Sequence, residues 1–143
     1  MKQDQLKAWQ PDQFDRFVRI LEQDQLNHAY LFSGFFGSLE MAQFLAKSLF
    51  CTDKIGVLPC EKCRNCKLIE QEEFPDVTLI KPVNQVIKTE RIRELVGQFS
   101  QAGIENQQQV FIIEQAEKMH PNATNSLLKV IEEPQSEVYI FFL

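Results

Sequence analysis

No stretch of this chain is long and apolar enough to span a bilayer; its strongly apolar runs fall well short of the roughly twenty residues a spanning helix needs. The opening residues, Met1 to Pro11, are polar and glutamine-rich, without the apolar segment of a secretory leader. Positive charge is in deficit, with 15 Lys and Arg against 20 Asp and Glu and a net charge of −5. Counterion release on nucleic acid needs clustered cations, so this balance argues against a stand-alone nucleic-acid binder. No repeat, low-complexity block or flexible linker is visible. Outside a window of sixteen residues there is no cysteine at all. These absences point to a cytoplasmic protein with reduced thiols and no membrane partner. What remains is one domain's length, 143 residues, with 44% hydrophobic residues and 12 phenylalanines to build a core.

The chain is organised around Ala29-Tyr30-Leu31-Phe32-Ser33-Gly34-Phe35-Phe36-Gly37-Ser38-Leu39-Glu40-Met41-Ala42. An apolar strand breaks at two glycines, Gly34 and Gly37, and resumes as a helix to about Phe50, with Met41, Phe44, Leu45, Ser48 and Leu49 at spacings of three and four. Strand, glycine loop and helix are the setting of a phosphate-binding loop, G-x-x-x-x-G-K-[ST]. Gly34 supplies the first glycine. Leu39 stands at the second, Glu40 at the lysine and Met41 at the Ser/Thr. The lysine would neutralise phosphate and the hydroxyl would bind Mg²⁺. Glu40 instead sets a negative charge against a polyanion, a repulsion of roughly 4 kcal/mol at ~4 Å and an effective dielectric of ~20. Met41 offers the metal no oxygen. Productive Mg-ATP binding is therefore not expected. The residues alone also fit a plain turn between a strand and a helix.

All four cysteines, Cys51, Cys60, Cys63 and Cys66, fall in the spacing C-x₈-C-x₂-C-x₂-C. In a reducing compartment this reads as a closed, structural, four-thiolate zinc site, since two-residue gaps let successive thiolates turn toward one ion. Lys62, Arg64 and Lys67 offset part of its charge. Disulfides and free redox thiols are the other readings of the same residues.

The remaining elements alternate. Residues 1–11 read as a strand-free lead-in with Trp9 as a packing anchor. Asp12 is expected to cap a helix running to about Asp24, with Phe14, Phe17, Val18 and Leu21 on one face. His28 precedes the first strand and reads as a hydrogen-bonded loop residue or a group facing a nucleotide pocket. Leu68 to Glu73 continues a short helix from the cysteine knuckle. Val77 to Ile80 is a strand. Thr89 is expected to cap a helix over Glu90 to Ala102, carrying Ile92, Leu95, Val96, Phe99 and Ala102. Arg91 and Arg93 lie off that stripe, on a solvated face or toward a partner. Val110 to Ile113 is a continuous apolar run, as in a central parallel strand. Glu114 and Gln115 close it where a nucleotide hydrolase holds Mg²⁺ and orients water; Glu114 is one methylene longer than aspartate, and Gln115 cannot act as a base. Pro121 opens a helix over Asn122 to Glu133 with Ala123, Leu127, Leu128, Val130 and Ile131, and Pro134 stops it. Glu137 to Leu143 is the fourth strand. Such alternation predicts an α/β parallel sheet with right-handed crossovers and helices on both faces.

In order, His28 to Gly34, the cysteine module, Phe74-Pro75-Asp76-Val77, Val110 to Met119, and Asn125-Ser126-Leu127-Leu128-Lys129-Val130-Ile131-Glu132-Glu133-Pro134 resemble the clamp-loader subunits of bacterial DNA polymerase III. The resemblance covers about residues 12–143. It implies an AAA-plus (P-loop NTPase) three-layer fold with a zinc module inserted at about 51–66 and a sheet order of 5-1-4-3-2. Leu39, Glu40, Met41 and Gln115 align the chain with the non-motor, delta-prime branch of that family. The implied role is a stator in a ring with tau/gamma and delta subunits, assisting ATP-driven loading of the sliding clamp on primed DNA. On this reading the chain is an accessory subunit of a DNA-directed DNA polymerase and does not hydrolyse ATP. The arginine finger, sensor residues, collar domain and fifth strand would follow Leu143, so residues 1–143 are expected to form an incomplete N-terminal domain with the first strand at an edge. The competing readings are an ATP-binding motor-type subunit or weak NTPase using Glu114, and a free-standing zinc-binding regulator.

Overall fold

The structure, a computed structural model, describes residues 2–32, 37–105, 108–132 and 138–143, and among these the side chains of all but 2, 98–105, 128 and 130–132. Gly34, Phe35, Phe36 and Pro134 lie outside the described residues, as do the side chains of Phe99, Ala102, Leu128, Val130 and Ile131. The chain forms two compact units, residues 1–27 with 32–77, and residues 28–31 with 78–143.

The first unit contains helices α1 (Lys2–Trp9), α2 (Pro11–Glu22), α3 (Ser38–Phe50) and α4 (Arg64–Glu70). Alternating phenylalanines knit it together. Phe14 packs on Phe44 with ring centroids 5.0 Å apart, and Phe17 meets Phe32 edge-on at 5.7 Å. Met41, Ala42, Leu45 and Ala46 of α3 are fully buried.

The strand-free lead-in of residues 1–11 contains helix α1, which the sequence reading did not place. Its composition is polar, and among its described side chains only Leu6 is buried, so no amphipathic stripe announces it. A correction concerns α2. Asp12 does not cap it; Gln10 is the cap and makes no side-chain cap bond, while Pro11 takes the first position, where its fixed φ suits a helix. Asp12 then favours the helix from inside the first turn, by charge against the dipole. The helix ends in a Schellman motif. Asp24 adopts φ 52°, its N–H reaches the Leu21 carbonyl, and Gln25 reaches Ile20. Helix α4 ends the same way at Glu72 (φ 62°), so it begins inside the knuckle at Arg64 and stops before Glu73. Acidic residues hold both left-handed positions, where sequence reasoning looks for glycine.

The second unit contains the parallel sheet of β1 (Ala29–Leu31), β2 (Val77–Ile80), β3 (Gln109–Ile113) and β4 (Val138–Phe142), in the order β1-β4-β3-β2. This order agrees with the expected 1-4-3-2. Register pairs Ala29 with Ile140 and Phe111 with Ile140. Helices α5 (Thr89–Glu105) and α6 (Pro121–Glu132) lie against each other, and Ile92, Leu95, Ala123 and Leu127 form one core with Phe111, Ile113, Val138 and Ile140. Val110, Ile112 and Phe141, on the alternate positions, are buried as well, as a strand covered on both faces requires. Helix α5 starts at Thr89 itself, and the Lys88 carbonyl accepts from Arg91 and Ile92, so Lys88 holds the cap position expected for Thr89. Pro121 opens α6 as expected. Among the described residues β1 has no partner strand on its outer side, and Leu31 is 69% exposed.

Candidate functional site

Two sites anticipated in the sequence can be followed here. The first is the cysteine cluster, which the structure brings together. The four Sγ atoms lie within 4.8 Å of one another. Cys51 and Cys60 are 3.5 Å apart and Cys51 and Cys63 3.9 Å. Thiolates around one zinc at ~2.3 Å in a tetrahedron would stand roughly 3.8 Å apart, so the donor set fits such an ion with little movement. None of the four is in a disulfide.

Local backbone geometry explains the convergence. The chain leaves α3 at Cys51, whose sulfur accepts N–H bonds from Asp53 (3.4 Å) and Cys60 (3.3 Å). The Cys60 sulfur accepts from Lys62 (3.4 Å) and Cys63 (3.2 Å), and the Cys63 sulfur accepts from Cys66 (3.4 Å) as the cap of α4. These donors suit thiolates better than thiols, and they fix the ligands as outer-shell bonds do. Asn65 ties the turn to the end of α3 by donating to the Phe50 carbonyl at 2.8 Å.

Cys51, Cys63 and Cys66 do not titrate alike. Burial pushes the Cys51 thiol up, against the N–H bonds from Cys60 and Asp53. Burial also pushes up Cys66, with the Cys63 thiol adding to it. At Cys63 burial acts upward too, yet the N–H of Cys66 and the backbone and hydroxyl of Thr52 outweigh it and bring the pKa down to about 6. One thiolate is thus stable alone, whereas Cys51 and Cys66 resist ionisation until a cation compensates them.

The second site is the glycine loop, of which Gly37 onward is described. Gly37 has φ +87° and precedes α3, whose first bond runs from the Met41 N–H to the Gly37 carbonyl at 2.9 Å. Leu39 and Glu40 lie half-buried in the first turn. A Cβ built on Gly37 would stand 3.9 Å from a Glu40 carboxylate oxygen, so this acid folds back toward the positive end of its own helix. Met41 is fully buried and belongs to the core. Glu114 follows β3, with its N–H on the Ile80 carbonyl at 2.8 Å. Gln115 is exposed, in a left-handed conformation (φ 52°) that starts a short 3₁₀ turn, Ala116–Lys118. His28 is held by contacts to β4: its Nδ1 lies 2.8 Å from the Val138 carbonyl and its ring stacks on Tyr139 at 5.3 Å.

Sequence reasoning missed a buried lysine with two acidic partners. Lys47 of α3 is 1% exposed, with its Nζ 3.6 Å from Glu61 and 3.7 Å from Glu70. Glu61 lies between two of the cysteines, at φ 60°. The available signal was Lys47 itself, the only charge in the ten residues from Met41 to Phe50.

The family described as DNA polymerase III, delta subunit, matches residues 9–143. The chain is 42% identical to DNA polymerase III subunit delta' of Bacillus subtilis over 135 residues, 93% of this chain and 41% of that protein. It is 31% identical to subunit delta' of Pseudomonas aeruginosa, over 81% of this chain and 37% of that protein. It is 35% identical to subunit tau/gamma of Haemophilus influenzae, over 86% of this chain and 18% of that protein. The chain therefore spans less than half the length of these relatives.

Proposed function

Because this chain belongs to the delta-prime family of DNA polymerase III subunits, we propose that it is a non-motor stator of the clamp loader. In this reading residues 1–143 form the incomplete, N-terminal part of an AAA-plus domain that sits in a ring with tau/gamma and delta subunits. The ring loads the sliding clamp on primed DNA at the expense of ATP bound elsewhere, in the cytoplasm. Cys51, Cys60, Cys63 and Cys66 hold a structural Zn²⁺, which supplies cross-linking and no open coordination position. The observation that carries the reading is the start of α3. Glu40, bent back over Gly37, stands where a phosphate-binding loop has its lysine, and the Ser/Thr position is given to the core as Met41.

The identity to tau/gamma relatives favours a second reading, a motor-type subunit using Glu114 as its metal-holding acid. Glu114→Ala separates the two in the full-length protein assembled with its partner subunits. A stator leaves DNA-stimulated ATP turnover of the complex within about twofold of its starting value. A motor loses one active site's share, and on removal of the strand-end acid that site falls by roughly a hundredfold or more.

A further inference from the structure

Helix α1 has little reason to be helical by itself. It has eight residues, and isolated helices shorter than about a dozen are marginal in water. Contacts at both ends hold it. At its start the Gln3 N–H, one of the donors with no partner inside the helix, bonds to the Glu61 carboxylate at 3.1 Å. The negative charge there also favours the helix dipole. Toward its end Leu6 is 1% exposed, and a Cβ on Gly37 would stand 3.7 Å from Leu6 and 3.4 Å from the ring of Trp9. The helix therefore sits directly on the last glycine before α3.

Glu61 is part of the cysteine knuckle. The N–H groups of Lys62 and Cys63 close on the Cys60 sulfur, and the turn they make requires the left-handed backbone of Glu61. That turn buries the Glu61 side chain to 6% exposure and places it beside Lys47. The same loop that wraps a metal-binding sulfur thus aims the carboxylate at α1.

We propose that the cysteine knuckle latches helix α1: the turn around Cys60 holds Glu61 as the cap of α1 and thereby keeps Leu6 and Trp9 seated on Gly37, so that metal loading of the knuckle is read out at the start of α3. The switch rests on the metal-holding role assigned to the four cysteines, whereas the latch contacts stand without it. When the knuckle opens, α1 loses its cap and leaves Gly37.

Trp9 is the only tryptophan; it is 43% exposed with one edge of its ring against Gly37, so a further rise in its quenching reports the unseating of α1. Two zinc-loaded variants of the chain are compared with the parent by hydrogen exchange and acrylamide quenching. Gln3→Pro deletes the donor, in a first-turn position that tolerates proline, and leaves the knuckle untouched. Glu61→Ala with Lys47→Met deletes the acceptor without stranding a buried cation. In both, amides of residues 6–10 are expected to exchange about tenfold faster while α3 keeps its protection. Trp9 becomes more quenchable, and in Gln3→Pro bound zinc stays unchanged. Chelation of zinc from the parent should loosen α1 in the same way before α3 opens. Equal α1 protection in the parent and in either folded variant would overturn the latch, and so would α1 unmoved by chelation. A parent that takes up no zinc would remove the metal arm alone, since the Gln3→Pro comparison measures the latch in either case.

Discussion

Replacing Cys63 by Ser is expected to empty the knuckle of metal and to destabilise the chain more than any other single change considered. A structural zinc contributes of order 10 kcal/mol of apparent folding energy, as much as a whole domain's net stability, so loss of one thiolate should remove at least about 3 kcal/mol, or roughly 10 °C in Tm. The parent, freshly reduced, should carry close to one equivalent of zinc. Cobalt in its place should give the intense thiolate-to-metal absorption of a tetrahedral site. The titration behaviour adds a sign. At neutral pH Cys63, with its pKa brought down to about 6, is largely ionised, whereas Cys51 and Cys66 are held up. Metal binding must then displace the protons of Cys51 and Cys66, so affinity rises with pH and falls on acidification, most steeply below about pH 6, where Cys63 also holds a proton. Less than half an equivalent of metal in the parent would contradict the four-thiolate assignment.

The second large effect concerns residues 39–41. Leu39→Gly, Glu40→Lys and Met41→Thr together rebuild the G-K-[ST] end of the loop. Removing a like-charge repulsion of roughly 4 kcal/mol corresponds to about a thousandfold in nucleotide affinity. Met41 is fully buried, however, and threonine there leaves a cavity and a buried hydroxyl, at a cost of about 2–3 kcal/mol in stability. Glu40→Lys alone therefore isolates the electrostatic part. A calorimetric titration with ATP and Mg²⁺ checks both variants. A folded variant with no gain would show that the obstruction is not the charge at residue 40. The seating of Leu6 and Trp9 on Gly37 would then be the next feature to remove.

Much of this architecture could be read in the sequence because its signals are local. Val110 to Ile113 is a run of four apolar residues and forms a strand buried on both faces. Pro121 announces the start of α6, and the cysteine spacing announces a cluster that the structure closes. What escaped is held by distant contacts. Helix α1 exists through a cap from Glu61, fifty-eight residues away, and no helical period betrays it. Lys47 looks like a solvated lysine until Glu61 and Glu70 are brought to it. The two Schellman ends use Asp24 and Glu72, whose left-handed conformation costs about 1–2 kcal/mol each and is offset by the backbone hydrogen bonds that close each helix end.

The central claim is that the chain keeps the frame of a nucleotide site without its chemistry. Equilibrium titration of the unaltered protein with a fluorescent ATP analogue and Mg²⁺ tests it most directly. The account predicts no saturable binding up to about millimolar nucleotide, the range left when the loop's cation is replaced by Glu40. Saturable binding at micromolar nucleotide would contradict it and make the chain a motor-type subunit.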